Sequence, residues 1–276
     1  MPGRSVREFT RMKREGEPIT MLTTYDAPTA RLVDDCDVDI ALVGDSVGNT
    51  QLGYDSWMDV TLDEIASHTA AVARSMEDTF LIADLPFMSY GASLEQGVES
   101  AGRLVKEAGA DAVKLETPPG GEVTVELVDR LVELGIPVQG HIGLNSQREK
   151  AEGGNFVQGK EREESASAAE LVETAERLEA AGAFSLIVEL TAEDAARRIT
   201  ESIGIPTIGI GAGRYVDGQV LVVNDVLGFG GSGYRLSKRY ADLDSVVSEA
   251  VSEYAAEVRS GEFPAVEHTF DPVDEG

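Results

Sequence analysis

Cysteine is almost missing from this chain of 276 residues: Cys36 stands alone. One thiol excludes an internal disulfide and leaves a cysteine-built zinc site without its ligands. Histidine occurs three times and tryptophan once. A bound metal would therefore be held by oxygen, which favours a hard ion such as Mg²⁺. No run of about 18 apolar residues occurs, so no membrane span is expected. The opening MPGRSVREFTRMKREG has no apolar signal core, and a cytoplasmic location is expected. Positive charge is scarce too. Fifty acids face 23 bases, only six of them lysine, for a net charge of −27. Such a surface repels nucleic acid and anionic lipid. Two readings remain, an acidic partner for a basic protein and adaptation to a salt-rich cytoplasm, where screening shortens repulsion to a few ångströms. The acids are scattered and form no tail, which favours salt. KEREES (160–165) is then a solvated loop or helix start.

What the chain has in quantity is alternation. Apolar runs at 20–26, 40–46, 80–87, 112–116, 137–143, 184–190 and 206–213 read as strands. Helical patterns lie between them, among them 62–76, 94–109 (N-capped by Ser93, stopped at Gly109) and 166–182. Strict alternation means a parallel sheet, and seven or eight units in this length point to a closed (β/α)8 TIM barrel. The run GQVLVVNDVLG (218–228) starts only about six residues after the seventh strand, and a parallel crossover usually needs a dozen. It is read as a short helix over 217–227 capped by Asp217, with the eighth strand at YRLSKRY (234–240). A helix over 243–261 closes the barrel, and a first helix over 4–15 lies under its N-terminal end. One domain is expected over 1–276, with a short tail from 262. The irregular stretch 143–165 follows the fifth strand at the barrel mouth, where long loops are usually functional. Its glycines suggest a lid.

Strand C-termini of such a barrel converge on one mouth, where active sites form. The second strand delivers Asp45 and Ser46, the third Asp84, the fourth Lys114 and Glu116 on one face, the fifth His141 and the sixth Glu189. Close carboxylate pairs cost roughly 4 kcal/mol each at about 4 Å and an effective dielectric of about 20. A divalent cation reverses that sign. Asp45 and Asp84 are expected as direct ligands, with Glu116 as a third, direct or through water. Each residue also has a plainer role. A strand-end aspartate often caps the next helix, Lys114 would simply neutralise Glu116, and His141 would be a structural histidine. Glu189, at the end of the apolar LIVE, would carry a raised pKa suited to proton transfer. His68 is expected to pack between helices, and His268 has no expected chemistry. GIGAG (209–213) is open to two readings, a phosphate cradle or close backbone approach.

The motifs LTTYD, ALVGDS, DLPFMSY, VKLE, GHIGL, VELT, GIGAG, DGQVLV, SKRY and EHTF, in this order along nearly the whole chain, resemble the ketopantoate hydroxymethyltransferases. The resemblance implies a barrel of the phosphoenolpyruvate mutase/isocitrate lyase type. It implies transfer of a one-carbon unit from 5,10-methylenetetrahydrofolate to 3-methyl-2-oxobutanoate, giving 2-dehydropantoate on the route to pantothenate and coenzyme A. It implies metal ligands at Asp45, Asp84 and Glu116, one Mg²⁺ per subunit, keto-acid contacts from Asp45, Ser46, Asp84 and Lys114, His141 beside the substrate, and Glu189 as proton acceptor. It also implies a homo-oligomer, a decamer of stacked pentamers, and small-molecule substrates only. TPPGGE (117–122), and Asn155 and Phe156 within GGNFVQGK, depart from the family's usual pattern. The expected chemistry runs through a metal-stabilised enolate, with Glu189 serving either the C3 proton or the folate nitrogen. A C–C lyase of the same barrel type would want a cysteine well after the fourth strand, and this chain has none there. A non-catalytic acidic barrel would not need Glu189, nor Lys114 beside Glu116.

Overall fold

Most of the apolar runs are buried along their whole length, as strands covered on both faces must be. The computed structural model describes residues 4–160, 165–230 and 235–270. Its strands are β1 Ile19–Thr23, β2 Ile40–Val43, β3 Phe80–Asp84, β4 Ala112–Glu116, β5 Val138–Gly143, β6 Ser185–Glu189, β7 Thr207–Ile210 and β8 Gly218–Leu221. Each pairs in parallel with the next, and β8 pairs with β1 to close the barrel.

The helices are α1 Val6–Glu15, α2 Ala27–Asp35, α3 Leu62–Ala73, α4 Leu94–Gly102, α5 Glu122–Glu133, α6 Glu149–Glu152, α7 Ala168–Ala180, α8 Glu193–Ser202, α9 Val223–Leu227 and α10 Leu243–Ser260. Local chemistry sets several of their starts. Asp26 accepts from Thr29 N at the head of α2, and Ser93 caps α4 as expected. Thr61 with Glu64, and Ser167 with Glu170, form reciprocal capping boxes on α3 and α7. The helical pattern expected to run on to Gly109 passes instead into a wider, π-type turn over Arg103–Glu107. No helix among the described residues is long and apolar enough to cross a membrane.

The eighth strand corrects the sequence reading. It is Gly218–Leu221, and the helix is α9, beginning six residues later than expected. Residues 235–240 hold a turn and no strand, and residue 234 lies outside the described residues. The crossover argument fails because β7 has only four residues. Its rise is about 13 Å, and the seven-residue return spans up to roughly 23 Å, so no helix is needed. Asp217 caps no helix. Its Oδ2 accepts from Thr207 N (2.8 Å) and Thr207 Oγ1 (3.0 Å) and lies 3.0 Å from Lys13 Nζ, which pins the return segment to the bottom of β7.

The barrel floor is an aromatic plug. Phe9 of α1 packs edge-on to Phe80 at 5.3 Å and stacks with Phe184 at 6.2 Å, at the feet of β3 and β6. Met12, Ile19, Ile40, Ile82, Ile208 and Val220 continue this core. The first helix thus closes the N-terminal end, as expected.

The chain divides into two compact units, 1–223 and 224–276, where the sequence reading drew one domain. The first holds the barrel. In the second, Arg239 Nη2 donates to Gly228 O (2.8 Å) and Asp242 Oδ1 (2.5 Å) just ahead of α10. Tyr254 of α10 meets Phe263 edge-on at 5.7 Å, and Phe263 in turn touches His268 at 5.0 Å.

Candidate active site

Strand register brings the expected residues together. It pairs Asp84 with Lys114, Glu116 with His141, and Gly143 with Glu189 across neighbouring strands. Asp45 follows β2 after Gly44, where a Cβ would meet Ser46 Oγ at 2.9 Å and Asp84 Oδ2 at 3.3 Å. That glycine lets Asp45 N donate to Asp84 Oδ2 at 3.0 Å. Lys114 Nζ stands 2.9 Å from Asp84 Oδ1 and 3.3 Å from His141 Nδ1. Lysine can only donate, so Nδ1 accepts and a neutral ring keeps its proton on Nε2. Nε2 lies 3.4 Å from Glu189 Oε2. Gly143 has φ +98, and a Cβ there would sit 2.2 Å from Glu189 O. Only glycine lets β5 pass so close to β6 at this level. Leu190, directly after Glu189, is held at φ 42, a strained geometry for a branched side chain.

The site is buried and carries excess negative charge. Asp45, Asp84, Lys114, Glu116 and His141 are all buried, while Glu189 keeps 26% of its side chain exposed. Desolvation, with Asp84 adding to it, lifts Asp45 to about 6. Desolvation, with Asp45 adding to it, lifts Glu116 to about 8. Glu189 rises to about 7 through desolvation, against the pull of Lys114. Asp84 is also raised by burial, and Lys114 opposes the shift. Burial works against the charge on Lys114, but Asp84, Asp45 and Glu116 outweigh it and hold the ammonium protonated. Burial and the neighbouring Lys114 keep His141 neutral.

Several residues in this network carry no expectation from sequence. Ser46 Oγ is 2.8 Å from the hydroxyl of buried Tyr25. Ser146 Oγ donates to Glu116 Oε1 (2.6 Å), and Gln147 N donates to Glu116 Oε2 (3.0 Å). Gln147 Nε2 reaches Asp45 Oδ2 (3.2 Å) and Leu85 O (3.1 Å), and Gln147 Oε1 accepts from Tyr90 (2.8 Å). The polar run LNSQ directly after β5 was the available signal. The expected lid is thus tied down at its start onto Glu116 and Asp45. Further along, Gln158 N donates to Leu190 O (2.8 Å) and Ala192 N to Gln158 O (2.9 Å), beside Glu189. Residues 161–164 of KEREES lie outside the described residues. His68 Nδ1 donates to Tyr25 O at 2.6 Å, the packing role expected of it. In GIGAG, a Cβ on Gly209 would meet Val216 at 2.9 Å and one on Gly213 would meet Glu193 at 2.5 Å. Close approach accounts for these glycines, and the nearby carboxylate of Glu193 is paired with Arg214 Nε at 3.0 Å.

The donor chemistry fits a hard cation: four buried or half-buried carboxylates, oxygen only, against one lysine. Among the described residues, no three His, Cys, Asp or Glu side chains stand as a ready-made metal cluster. Asp45 and Asp84 adjoin through the backbone bond, while both oxygens of Glu116 are engaged by Ser146 and Gln147.

Residues 4–266 match the family model described as ketopantoate hydroxymethyltransferase. The chain belongs to that family. It is a transferase, a hydroxymethyltransferase. Relatives named 3-methyl-2-oxobutanoate hydroxymethyltransferase include one from Natronomonas pharaonis, 52% identical over 94% of both chains. One from Halobacterium salinarum is 49% identical over 98% of this chain and 97% of its own. One from a Thermotoga species is 48% identical over 99% and 98%. Among solved structures, phosphonopyruvate hydrolase superposes with a TM-score of 0.61 at 13% identity, covering 95% of this chain and 92% of that one. A 2,3-dimethylmalate lyase, described as a PEP mutase/isocitrate lyase superfamily member, gives 0.60 at 15% identity, covering 97% and 91%. This hydroxymethyltransferase therefore has the expected closed (β/α)8 barrel, a fold it shares with those two structures.

Proposed function

We propose that the strand-end cluster binds 3-methyl-2-oxobutanoate, removes its C3 proton, and joins C3 to a one-carbon unit from 5,10-methylenetetrahydrofolate. One observation carries this reading: the contact chain Asp84–Lys114–His141–Glu189, which sets a fixed cation and an accessible carboxylate on one wall.

Asp45 and Asp84, with Glu116 behind them, would hold a divalent cation, Mg²⁺ by preference, which when bound draws electron density from a keto acid and acidifies the C–H beside its carbonyl. Lys114 is fixed by Asp84 and supplies positive charge where the keto oxygen gathers negative charge. Ser46, held by Tyr25, offers a hydroxyl to the substrate's oxygens. His141 accepts from Lys114 at Nδ1, and its Nε2, which makes no hydrogen bond, lies 3.4 Å from Glu189 Oε2 and sets a neutral ring beside that carboxylate. Glu189 takes the C3 proton. Its pKa of about 7 balances basicity against ionisation near neutral pH. C3 then bonds to the donor's methylene carbon, both carbon–nitrogen bonds of that methylene break, and one water supplies the hydroxyl oxygen. The two freed nitrogens take the proton from C3 and one from water, so the atoms balance.

The test is exchange of the C3 proton of 3-methyl-2-oxobutanoate with deuterated solvent, followed by NMR with and without Mg²⁺ in concentrated KCl. Wild-type enzyme should catalyse Mg²⁺-dependent exchange. Glu189→Gln should lower exchange and turnover by about 10²–10⁴-fold with the fold intact. Full exchange in Glu189→Gln would remove Glu189 from the role of base.

A further inference from the structure

The carboxylate at the end of β6 hangs from a backbone that three other segments grip. Glu189 O accepts from Leu144 N (3.0 Å), just past β5, and also from Thr191 Oγ1 (2.9 Å). Leu190 N donates to Ile210 O at the end of β7 (2.8 Å). The last grip comes from the long loop after β5. Gln158 N donates to Leu190 O (2.8 Å) and Gln158 O accepts from Ala192 N (2.9 Å), a parallel bridge to Thr191 that adds a rung beyond the end of the strand. We infer that Gln158 is a positioning residue: by fastening the turn at Leu190 in its left-handed form, it holds the Glu189 carboxylate beside His141, facing the keto acid. The inference rests on the reading of Glu189 as the base and adds what keeps that base in place.

Three observations make the bridge more than a loop contact. The first is the strain it opposes. Leu190 sits at φ 42, and a leucine has no side-chain hydrogen bond to offset that geometry. Such a turn persists only where surrounding bonds over-determine it. Here both backbone groups of Leu190 are bonded, N to Ile210 and O to Gln158. A relaxed turn would rotate the peptide that follows Glu189 and carry Glu189 Oε2 away from His141 Nε2, which it now faces at 3.4 Å. The second is the burial of Gln158. Glutamine is mostly exposed in folded proteins, yet this one is 4% exposed. Its side chain bonds within its own loop: Nε2 donates to Phe156 O (3.1 Å), and Oε1 accepts from Ala166 N (2.8 Å). Gly159 N adds a bond to Ala166 O (2.9 Å). The amide thus folds the loop around residue 158 and turns that residue's N–H and C=O outward, to the turn after β6. An apolar side chain there would leave Phe156 O and Ala166 N without these partners. The third is close approach. Gly159 has φ 75, and a Cβ there would lie 2.5 Å from Ala195 Cβ in the first turn of α8. Glycine lets the loop lie flush against the segment that leaves Glu189. A base works only within hydrogen-bond reach of its proton, and a misplacement of about 1 Å can cost about 10²-fold in rate.

The experiment measures C3-proton exchange of 3-methyl-2-oxobutanoate over a range of its concentrations, alongside hydrogen exchange of the Ala192 amide, in the full-length enzyme with Mg²⁺ and concentrated KCl. Gln158→Ala should speed exchange of the Ala192 amide by at least about tenfold. It should lower kcat for C3-proton exchange by about ten- to a hundredfold. KM for the keto acid should stay within about twofold, because Asp45, Ser46, Asp84 and Lys114 hold the substrate from other strands. Asparagine enters the left-handed region far more readily than leucine. In a Leu190→Asn background the turn needs the bridge less, and Gln158→Ala should then cost no more than about threefold in kcat. Far-UV spectra matching wild type establish that each variant is folded. If Gln158→Ala is not, Gln158→Met, which keeps the length and drops both side-chain hydrogen bonds, takes its place. An unchanged kcat in the folded variant overturns the positioning role, as does a loss confined to KM. An equal loss in both backgrounds overturns it too and leaves Gln158 as loop packing. Full C3-proton exchange in Glu189→Gln would overturn the base reading and this inference together, whereas a loss in Glu189→Gln with none in Gln158→Ala would overturn this inference alone.

Discussion

At the scale of single residues, the strand-end acids are held out of water at a free-energy cost that depends on pH. Burial lifts Asp45 to about 6, Glu189 to about 7 and Glu116 to about 8. A carboxyl whose pKa is higher folded than unfolded contributes stability that is present below its unfolded value and lost as pH rises through its folded one. The cation-free enzyme should therefore lose stability between roughly pH 4 and 8 as these groups are forced to ionise. Its melting temperature should be lower at about pH 8 than at about pH 5, and millimolar Mg²⁺ should restore more at the higher pH. Thermal melts with chelator or Mg²⁺ across that range check this. Equal Mg²⁺ shifts at both ends would disprove the link between cation and buried acids. These acids were legible in the sequence because a charged residue at the end of an apolar strand has few cheap places to go. Ser146, Gln147 and Tyr25 were not, because a neutral polar side chain in a loop breaks no pattern. Their roles appear only when distant segments meet.

At the scale of elements, α1 is a stopper, and its action depends on one ring. Phe9 is fully buried between Phe80 and Phe184. Phe9→Ala should cost about 3–5 kcal/mol by removing apolar contact and leaving a cavity. Because the plug sits at the strand feet, opposite the acids, turnover per folded molecule should hardly change. Denaturant melts and activity on the same sample test both halves. A loss below about 1 kcal/mol would mean that α1 is not part of the cooperative core. The strands and most helices were readable from periodicity and caps; Ser93, for instance, caps α4 as the sequence indicates. The eighth strand was misplaced because crossover length was judged by a general expectation, and a four-residue β7 shortens the return path. The β-branched residues of GQVLVVNDVLG do read locally as a strand, and it was the crossover expectation that overrode them.

At the scale of the whole molecule, charge dominates. A net charge of −27 makes self-repulsion a standing cost of the folded state. Screening falls from about 10 Å in 0.1 M salt to about 3 Å in 1 M. The melting temperature should accordingly rise by several degrees as KCl goes from about 0.1 to about 1 M, read by calorimetry at fixed pH. An unchanged or lower midpoint would mean that the acids are locally neutralised and not salt-dependent.

The amino-acid order alone determined the barrel and the set of charged residues at its mouth, because strand period, helix caps and strand-end polarity are local and survive without knowledge of neighbours. Tertiary structure decided what each charge touches: that Lys114 answers Asp84, and that Glu116 is held by Ser146 and Gln147. The side-chain contacts join residues about thirty positions apart in the chain. Their distances follow from strand register and from glycines that let backbones close, such as Gly143 beside Glu189, and sequence spacing does not encode them.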